Sequence, residues 1–277
     1  MKMWMIIAGG FICVGLILFV VVMSILGWNF ARLSTVESVT NTHQISKTVF
    51  SIDLQTVTAD VEILPSEDDT VQVVCQEYAK QTHTVQVEEG VLKIQMVDER
   101  AWYEHIAIQF GMTKVTVYLP QRRYDQVSVK TSTGKIKVEN LDAVRMDMEI
   151  TTGSLQLKDV DCVDILNLQV STGDVTLTEV RCATLETQGK TGDMMLKHVL
   201  AYESLNIRST TGDIVLEDSE GEDMTITTTT GDVKGNLLTE KRFLAKTSTG
   251  KVQVPDTFSG GLCKITTSTG DIIITCP

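Results

Sequence analysis

The sequence predicts an all-β fold: a parallel β-solenoid of about eight coils of 19–20 residues, with a β-rich N-terminal cap, preceded by one transmembrane helix. Three observations carry this expectation. A Thr-Gly pair recurs at 133/134, 152/153, 172/173, 191/192, 211/212, 230/231, 249/250 and 269/270, with 19 or 20 residues between successive glycines. Apolar residues alternate with polar ones on both sides of each glycine, the pattern of half-buried strands. One long uncharged apolar segment lies near the N-terminus.

That segment comes first. Residues 3–26 carry no charge, and 24 residues at 1.5 Å rise span about 36 Å, enough for a tilted membrane crossing. Trp4 and Trp28 flank it, where aromatic belts sit. A retained anchor, residues 1–28, is favoured over a cleaved signal peptide. The apolar stretch is too long, no small-x-small site follows it cleanly, and Gly10-Phe11-Ile12 before Cys13 does not supply the small residue a lipoprotein site needs. Lys2 on one side and Arg32 on the other give a slight positive-inside bias that places the remainder outside the cytoplasm. Residues 29–47 are polar and aperiodic and read as a stalk.

Lys2 is the only charge in residues 1–28, so the rest of the chain goes from the formal net charge of −12 to −13. Such acidity argues against nucleic acid and against anionic surfaces, and keeps a rod soluble. The expected partners are the membrane, through residues 3–28, and a protein or other envelope component. No cofactor is expected.

Residues 48–277 form the predicted solenoid, with 48–120 an irregular cap and 121–277 the Thr-Gly repeats. Ile52, Leu54, Thr58, Ala59, Asp60, Val61 and Ile63 match the repeat with Ala59 in place of glycine, as in a degenerate first coil. Terminal coils are atypical because they close the core.

Within each repeat, two residues after the glycine stand Ile136, Leu155, Val175, Met194, Ile214, Val233, Val252 and Ile272. Four after it stand Val138, Leu157, Leu177, Leu196, Leu216, Gly235, Val254 and Ile274. Seven and five before it the apolar pairs recur, as in Leu166/Leu168 and Leu205/Ile207. Leu141, Val160, Val180, Val199 and Leu238 follow at seven, as plugs; Ala143, Cys162, Cys182, Ala201 and Gly221 at nine imply a second, tight corner. Each coil is expected to stack on the next in sequence, giving a rod of roughly 40 Å. Gly235 and Pro255 mark repeats six and seven as the weak ones.

Ala59-Asp60-Val61-Glu62-Ile63, Val117-Tyr118-Leu119-Pro120 and the repeated Thr-Gly-Asp-Val-x-Leu units resemble the DUF4097 family of bacterial β-strand-repeat proteins, described as putative adhesins. The resemblance spans residues 48–277. It implies this fold, tethering to the membrane and an adhesive role, with envelope-stress roles among relatives; it brings no catalytic residues.

The candidate site residues are the turn ladder itself: Thr133, Gly134, Thr152, Gly153, Thr172, Gly173, Thr191, Gly192, Thr211, Gly212, Thr230, Gly231, Thr249, Gly250, Thr269 and Gly270. Trp102 and Tyr103, in a charged stretch between two cap strands, are the candidate contact, since exposed aromatics mark interfaces. Asp174, Asp193, Asp213 and Asp232 recur in one place, and capping of their own turns is favoured over calcium. His43, His83, His105 and His198 show no metal-ligand spacing. Ser132-Thr-Gly-Lys135 and Ser248-Thr-Gly-Lys251 fit Ser-x-x-Lys but arise from the repeat and lack companions. Threonine rows invite an ice-binding reading, but Thr-x-Thr occurs only at 131/133, 228/230, 247/249 and 267/269. Cys162 and Cys182 occupy equivalent corners within disulfide reach, with free thiols favoured. The expectation is therefore a non-enzymatic, membrane-anchored, single-pass solenoid displaying an interaction surface at the bacterial cell envelope. The alternative is a regulatory or sensory scaffold in the envelope stress response, acting through a membrane protein. An enzyme acting on polysaccharide is disfavoured, because uniform faces offer no paired acids in a cleft.

Overall fold

The structure is a computed structural model and describes residues 2–25, 27–28, 38–78, 80–100 and 113–277. Helix α1 (Lys2–Ile25) is continuous. Its stretch Ala8–Ile25 is long and apolar enough to cross a membrane. Phe11, Ile12, Leu16, Ile17 and Leu18 are all exposed, so the helix is apolar on every side and has an amphipathic face for no partner.

Everything else described is β. Eighteen strands form one sheet wound into a solenoid. Its regular body is β8 (Arg123–Thr133), β9 (Ile136–Thr152), β10 (Leu155–Thr172), β11 (Val175–Thr191), β12 (Met194–Arg208) and β13 (Ile214–Thr227). β9, β10 and β11 each run from just after one repeat glycine to just before the next, β12 stops at Arg208, and all four pair in parallel with their sequence neighbours. Like residues stack on like: Leu155, Leu157 and Val160 lie between Ile136, Val138 and Leu141 on one side and Val175, Leu177 and Val180 on the other. All nine are buried. Burying one such aliphatic side chain is worth about 1.5–3 kcal/mol, so no coil is stable without its neighbours.

The expected corner at Ala143, Cys162, Cys182, Ala201 and Gly221 is present: all five are buried, and the register shifts just after Cys162, Cys182 and Ala201. The sequence reading missed another bend. Six residues after the glycine, Asn140, Asp159, Glu179, His198 and Asp218 all adopt left-handed backbone, with φ of 45–54°. Asn and Asp tolerate that region best, and ladder pairing skips these positions.

The expected sixth plug, Leu238, is corrected. Leu238 is exposed and Leu237 is buried, opposite buried Ser219. Gly235, at φ 157° and with no room for a Cβ beside the Leu216 carbonyl, breaks the spacing by one residue.

Strict sequential stacking is also corrected, at both ends. At the N-terminal end, β2 (Ser51–Gln55) and β3 (Ala59–Pro65) are the expected degenerate coil, with Ala59 against Gly134. They lie inside, between β8/β9 and the outer pair β6 (Val91–Asp98) and β7 (Thr113–Leu119). Strands β4 (Val71–Tyr78) and β5 (Gln81–Glu88) add antiparallel pairings to β7 and β6. Residues 38–45, expected within the polar stalk, instead form strand β1 (Ser38–Ile45), antiparallel to β4. Its polar sequence suits an edge strand, where one face meets solvent.

At the C-terminal end the chain passes through β14 (Val233–Leu237), then β15 (Arg242–Thr249) and β16 (Val252–Gln253). It then returns to insert β17 (Leu262–Thr269) between β13 and β15 and β18 (Ile272–Thr275) between β14 and β16. The physical reason lies in the seventh repeat. Val252 is exposed, and β16 stops two residues before Pro255, which cannot donate to a ladder. The eighth repeat offers buried Cys263, Ile265, Ile272 and Ile274 and makes the better filling. Buried Lys241, paired with Glu220, pins the crossing segment.

The crossover is testable with paired cysteines. Thr230 and Thr249 each pair with Thr269 and not with each other. Adjacent strands stand about 4.8 Å apart and alternate ones about twice that, beyond disulfide reach. Thr230→Cys with Thr269→Cys is expected to oxidise readily, and Thr230→Cys with Thr249→Cys not to; the reverse would restore sequential stacking.

Candidate functional site

The turn ladder is built by close backbone approach. The eight repeat glycines have φ of 134–147°, a region that only glycine enters freely. A Cβ on Gly173 would stand 1.7 Å from the Gly153 carbonyl oxygen, and one on Gly192 2.0 Å from that of Gly173. The glycine N–H groups bond across coils: Gly173 donates to the Thr191 carbonyl at 2.8 Å and Gly192 to that of Thr211 at 3.0 Å. The paired threonines, Thr133, Thr152, Thr172, Thr191, Thr211, Thr230, Thr269 and Thr249 in spatial order, are all exposed. They form one row of hydroxyls at about strand spacing. Thr131, Thr228 and Thr267 are buried, so three of the four Thr-x-Thr units present a single hydroxyl to solvent.

Beside this row runs the aspartate row. The expectation that each carboxylate caps its own turn is corrected: each accepts the N–H of the corresponding residue one coil away. Asp174 Oδ1 accepts from Asp193 N–H at 2.9 Å, Asp193 from Asp213 at 2.8 Å, Asp213 from Asp232 at 2.8 Å and Asp232 from Asp271 at 2.7 Å. Lys135 and Lys251, from the two Ser-x-x-Lys matches, sit at this same rung, their N–H groups held by Asp60 and Asp271 at 2.8 Å. A hydrogen bond from the Lys234 ammonium to Asp232 holds that carboxyl below its usual range. With one oxygen of each carboxylate committed to an amide, calcium at constant ionic strength is expected to leave the melting temperature unchanged. The Asp193→Asn/Asp213→Asn variant, which keeps the acceptor and removes like charges, is expected to melt at or slightly above the parent. A calcium-dependent rise that vanishes in this variant would contradict the hydrogen-bonded row.

A third row lies at the left-handed bend. His198 Nδ1 is 2.7 Å from Glu179 and its Nε2 is 3.4 Å from Asp218. These pairs are solvent-exposed and contribute little to stability.

Among the described residues, one group of potential metal ligands stands apart from the repeat, in the cap. On β4, Cys75 and Glu77 point inward by alternation; β4 and β5 pair only at Tyr78 opposite Gln81, and beyond that pair buried His83 turns its backbone N–H and its ring to the Glu77 carboxylate. Their ligating atoms all lie within 4.8 Å of one another. Glu77 Oε2 accepts the His83 backbone N–H at 2.8 Å and is 2.9 Å from His83 Nδ1; Asn41 of β1 donates to Oε1 at 2.7 Å. His83 Nε2 is 3.0 Å from Thr56 Oγ1. Burial, and secondarily the Glu77 charge, pushes the Cys75 thiol up to about 12. The sequence reading found no spacing here because the chain reversal between β4 and β5, not linear spacing, makes the group. Cys-x-Glu on an alternating strand was the available signal.

Of the other candidates, Trp102, Tyr103 and His105 lie outside the described residues. Cys162 and Cys182 are register partners and free, buried thiols. Burial pushes them up to about 11 and about 12, so they pack as small apolar groups.

A family model described as Toastrack DUF4097 matches residues 49–185 and 161–277. No curated protein matches the chain. Among solved structures, a "putative adhesin" from Bacteroides fragilis is similar at 16% identity, covering 86% of this chain and 97% of its own, with a TM-score of 0.52. A "putative adhesin" from Parabacteroides distasonis is 13% identical, covering 88% and 98%, with a TM-score of 0.46. A "putative lipid binding protein" from the same species is 11% identical, covering 86% and 96%, with a TM-score of 0.44. The first of these likenesses shows the fold.

Proposed function

This chain belongs to the Toastrack DUF4097 family, and on that premise we propose that it is a non-enzymatic β-solenoid, tethered by α1, that displays an interaction surface at the bacterial cell envelope. The observation that carries this reading is how the coils use their side chains. Inward positions are consumed by apolar stacking, and the turns present one unbroken row of exposed threonines beside a row made mostly of aspartates. Such a surface repeats one chemistry at strand spacing, which suits a multivalent or extended partner better than a small substrate. In this reading residues 1–28 are the anchor, with the solenoid of 48–277 extracytoplasmic, and the acidic surface selects against nucleic acid.

A regulatory role acting through a membrane protein is the second reading, and β1 favours it. β1, which follows the anchor in sequence, is hydrogen-bonded into the sheet through β4, a route by which the rod would feel a change at a membrane partner. Capture experiments separate the two. Full-length protein in detergent and residues 38–277 alone are used as baits. A display surface captures the same envelope partner with both. A sensor captures a membrane protein only with the full-length bait, and that result would overturn the display reading.

A further inference from the structure

We propose that Cys75, Glu77 and His83 bind one divalent transition-metal ion of the zinc class. The three residues supply a sulfur, a carboxylate oxygen and an imidazole nitrogen, all within 4.8 Å of one another. In a tetrahedral site with metal–sulfur bonds of about 2.3 Å and metal–nitrogen or –oxygen bonds of about 2.0 Å, ligand atoms stand about 3.3–3.7 Å apart. A small side-chain contraction therefore closes the set. The sulfur selects against magnesium and calcium, and the mixed soft and borderline donors suit zinc.

The environment has the features of a built site. Cys75, Glu77 and His83 are 0%, 2% and 5% exposed. Two of them are already oriented from outside the trio: Asn41 donates to Glu77 Oε1, and Thr56 Oγ1 stands against His83 Nε2. Partners of this kind fix the ligands of metal sites. The Cys75 thiol, by contrast, has no hydrogen-bond partner among the described residues. Metal binding displaces the thiol proton to solvent, shifts the imidazole proton from Nδ1 to Nε2, where Thr56 Oγ1 accepts it, and replaces the Glu77–His83 contact by two metal–ligand bonds.

An ion here would join β4 to β5 and, through Glu77 and Asn41, fasten β1, the strand that follows the anchor. The site would thus stabilise the membrane-proximal end of the rod, and it stands independently of which partner the surface meets.

The test uses the full chain in detergent, refolded or incubated to equilibrium with Co²⁺ as a spectroscopic probe and separately with Zn²⁺ or Mg²⁺. One equivalent of Co²⁺ is expected to produce thiolate-to-cobalt charge-transfer absorption. Cys75→Ser should abolish the band, His83→Gln should weaken Co²⁺ binding at least tenfold, and Cys182→Ser should leave both unchanged. Zn²⁺, and not Mg²⁺, should raise the melting temperature of the parent. The proposal is overturned if the folded parent gives no charge-transfer band at one equivalent, a result that needs no variant, or if the band survives in Cys75→Ser.

Discussion

Leu177→Asp is expected to abolish cooperative folding of the rod. Leu177 is 0% exposed and stacks between Leu157 and Leu196 in a column with no polar partner. An unpaired carboxylate there costs several kcal/mol, a large part of the roughly 5–15 kcal/mol by which a domain is stable. The coils above and below lose their packing surface with it, because each contacts only its neighbours. Thr176→Asp, one residue away on the outer face between Gln156 and Met195, should stay within about 0.5 kcal/mol of the parent. Thermal melting by circular dichroism compares them. Similar curves for the two variants would contradict the inward–outward alternation on which the coil rests.

Gly173→Ala should be nearly as damaging, though it adds one methyl group to a turn at the surface. The φ of 135° is strained for alanine by about 1–3 kcal/mol. The Cβ would also stand 1.7 Å from the Gly153 carbonyl oxygen, a backbone atom held in its own ladder and unable to swing away. Relief requires separating two coils, with loss of the Gly153-to-Thr172 and Gly173-to-Thr191 bonds. A total of about 4 kcal/mol corresponds to a fall in melting temperature of about 10 °C for a domain of this size. Thr172→Ala, at an exposed side chain next door, should change little. An alanine variant at position 173 that melts with the parent would mean that the rungs are not this close.

The contrast between these two sites explains what could be read from residues alone. The inward columns were legible because parallel in-register stacking makes each coil repeat its neighbour's requirements, so Leu157, Leu177 and Leu196 recur at matching positions. The glycines were legible for the same reason. Coil order at the ends was not, because the insertion of β17 between β13 and β15 depends on which coil packs better and not on local pattern. The aspartates were legible as a row, but the acceptor role reaches one coil away, from Asp174 to the Asp193 amide, and cannot be told from a local cap by spacing. Leu238 followed the count of seven and was displaced by Gly235. Cys75, Glu77 and His83 lie outside the repeat, and only the reversal of the chain between β4 and β5 brings them together.

The most direct test of a rod held outside the membrane with its turn row facing solvent is cysteine accessibility in intact cells. Thr191→Cys in a Cys276→Ser background places one exposed thiol on the row, while Cys75, Cys162, Cys182 and Cys263 stay buried. Cys13, within apolar α1, would be shielded by the bilayer. A membrane-impermeant maleimide is expected to label the Thr191→Cys protein on intact cells and to leave the Cys276→Ser parent unlabelled. Labelling of the Thr191→Cys protein only after lysis would place the rod on the cytoplasmic side and contradict the account.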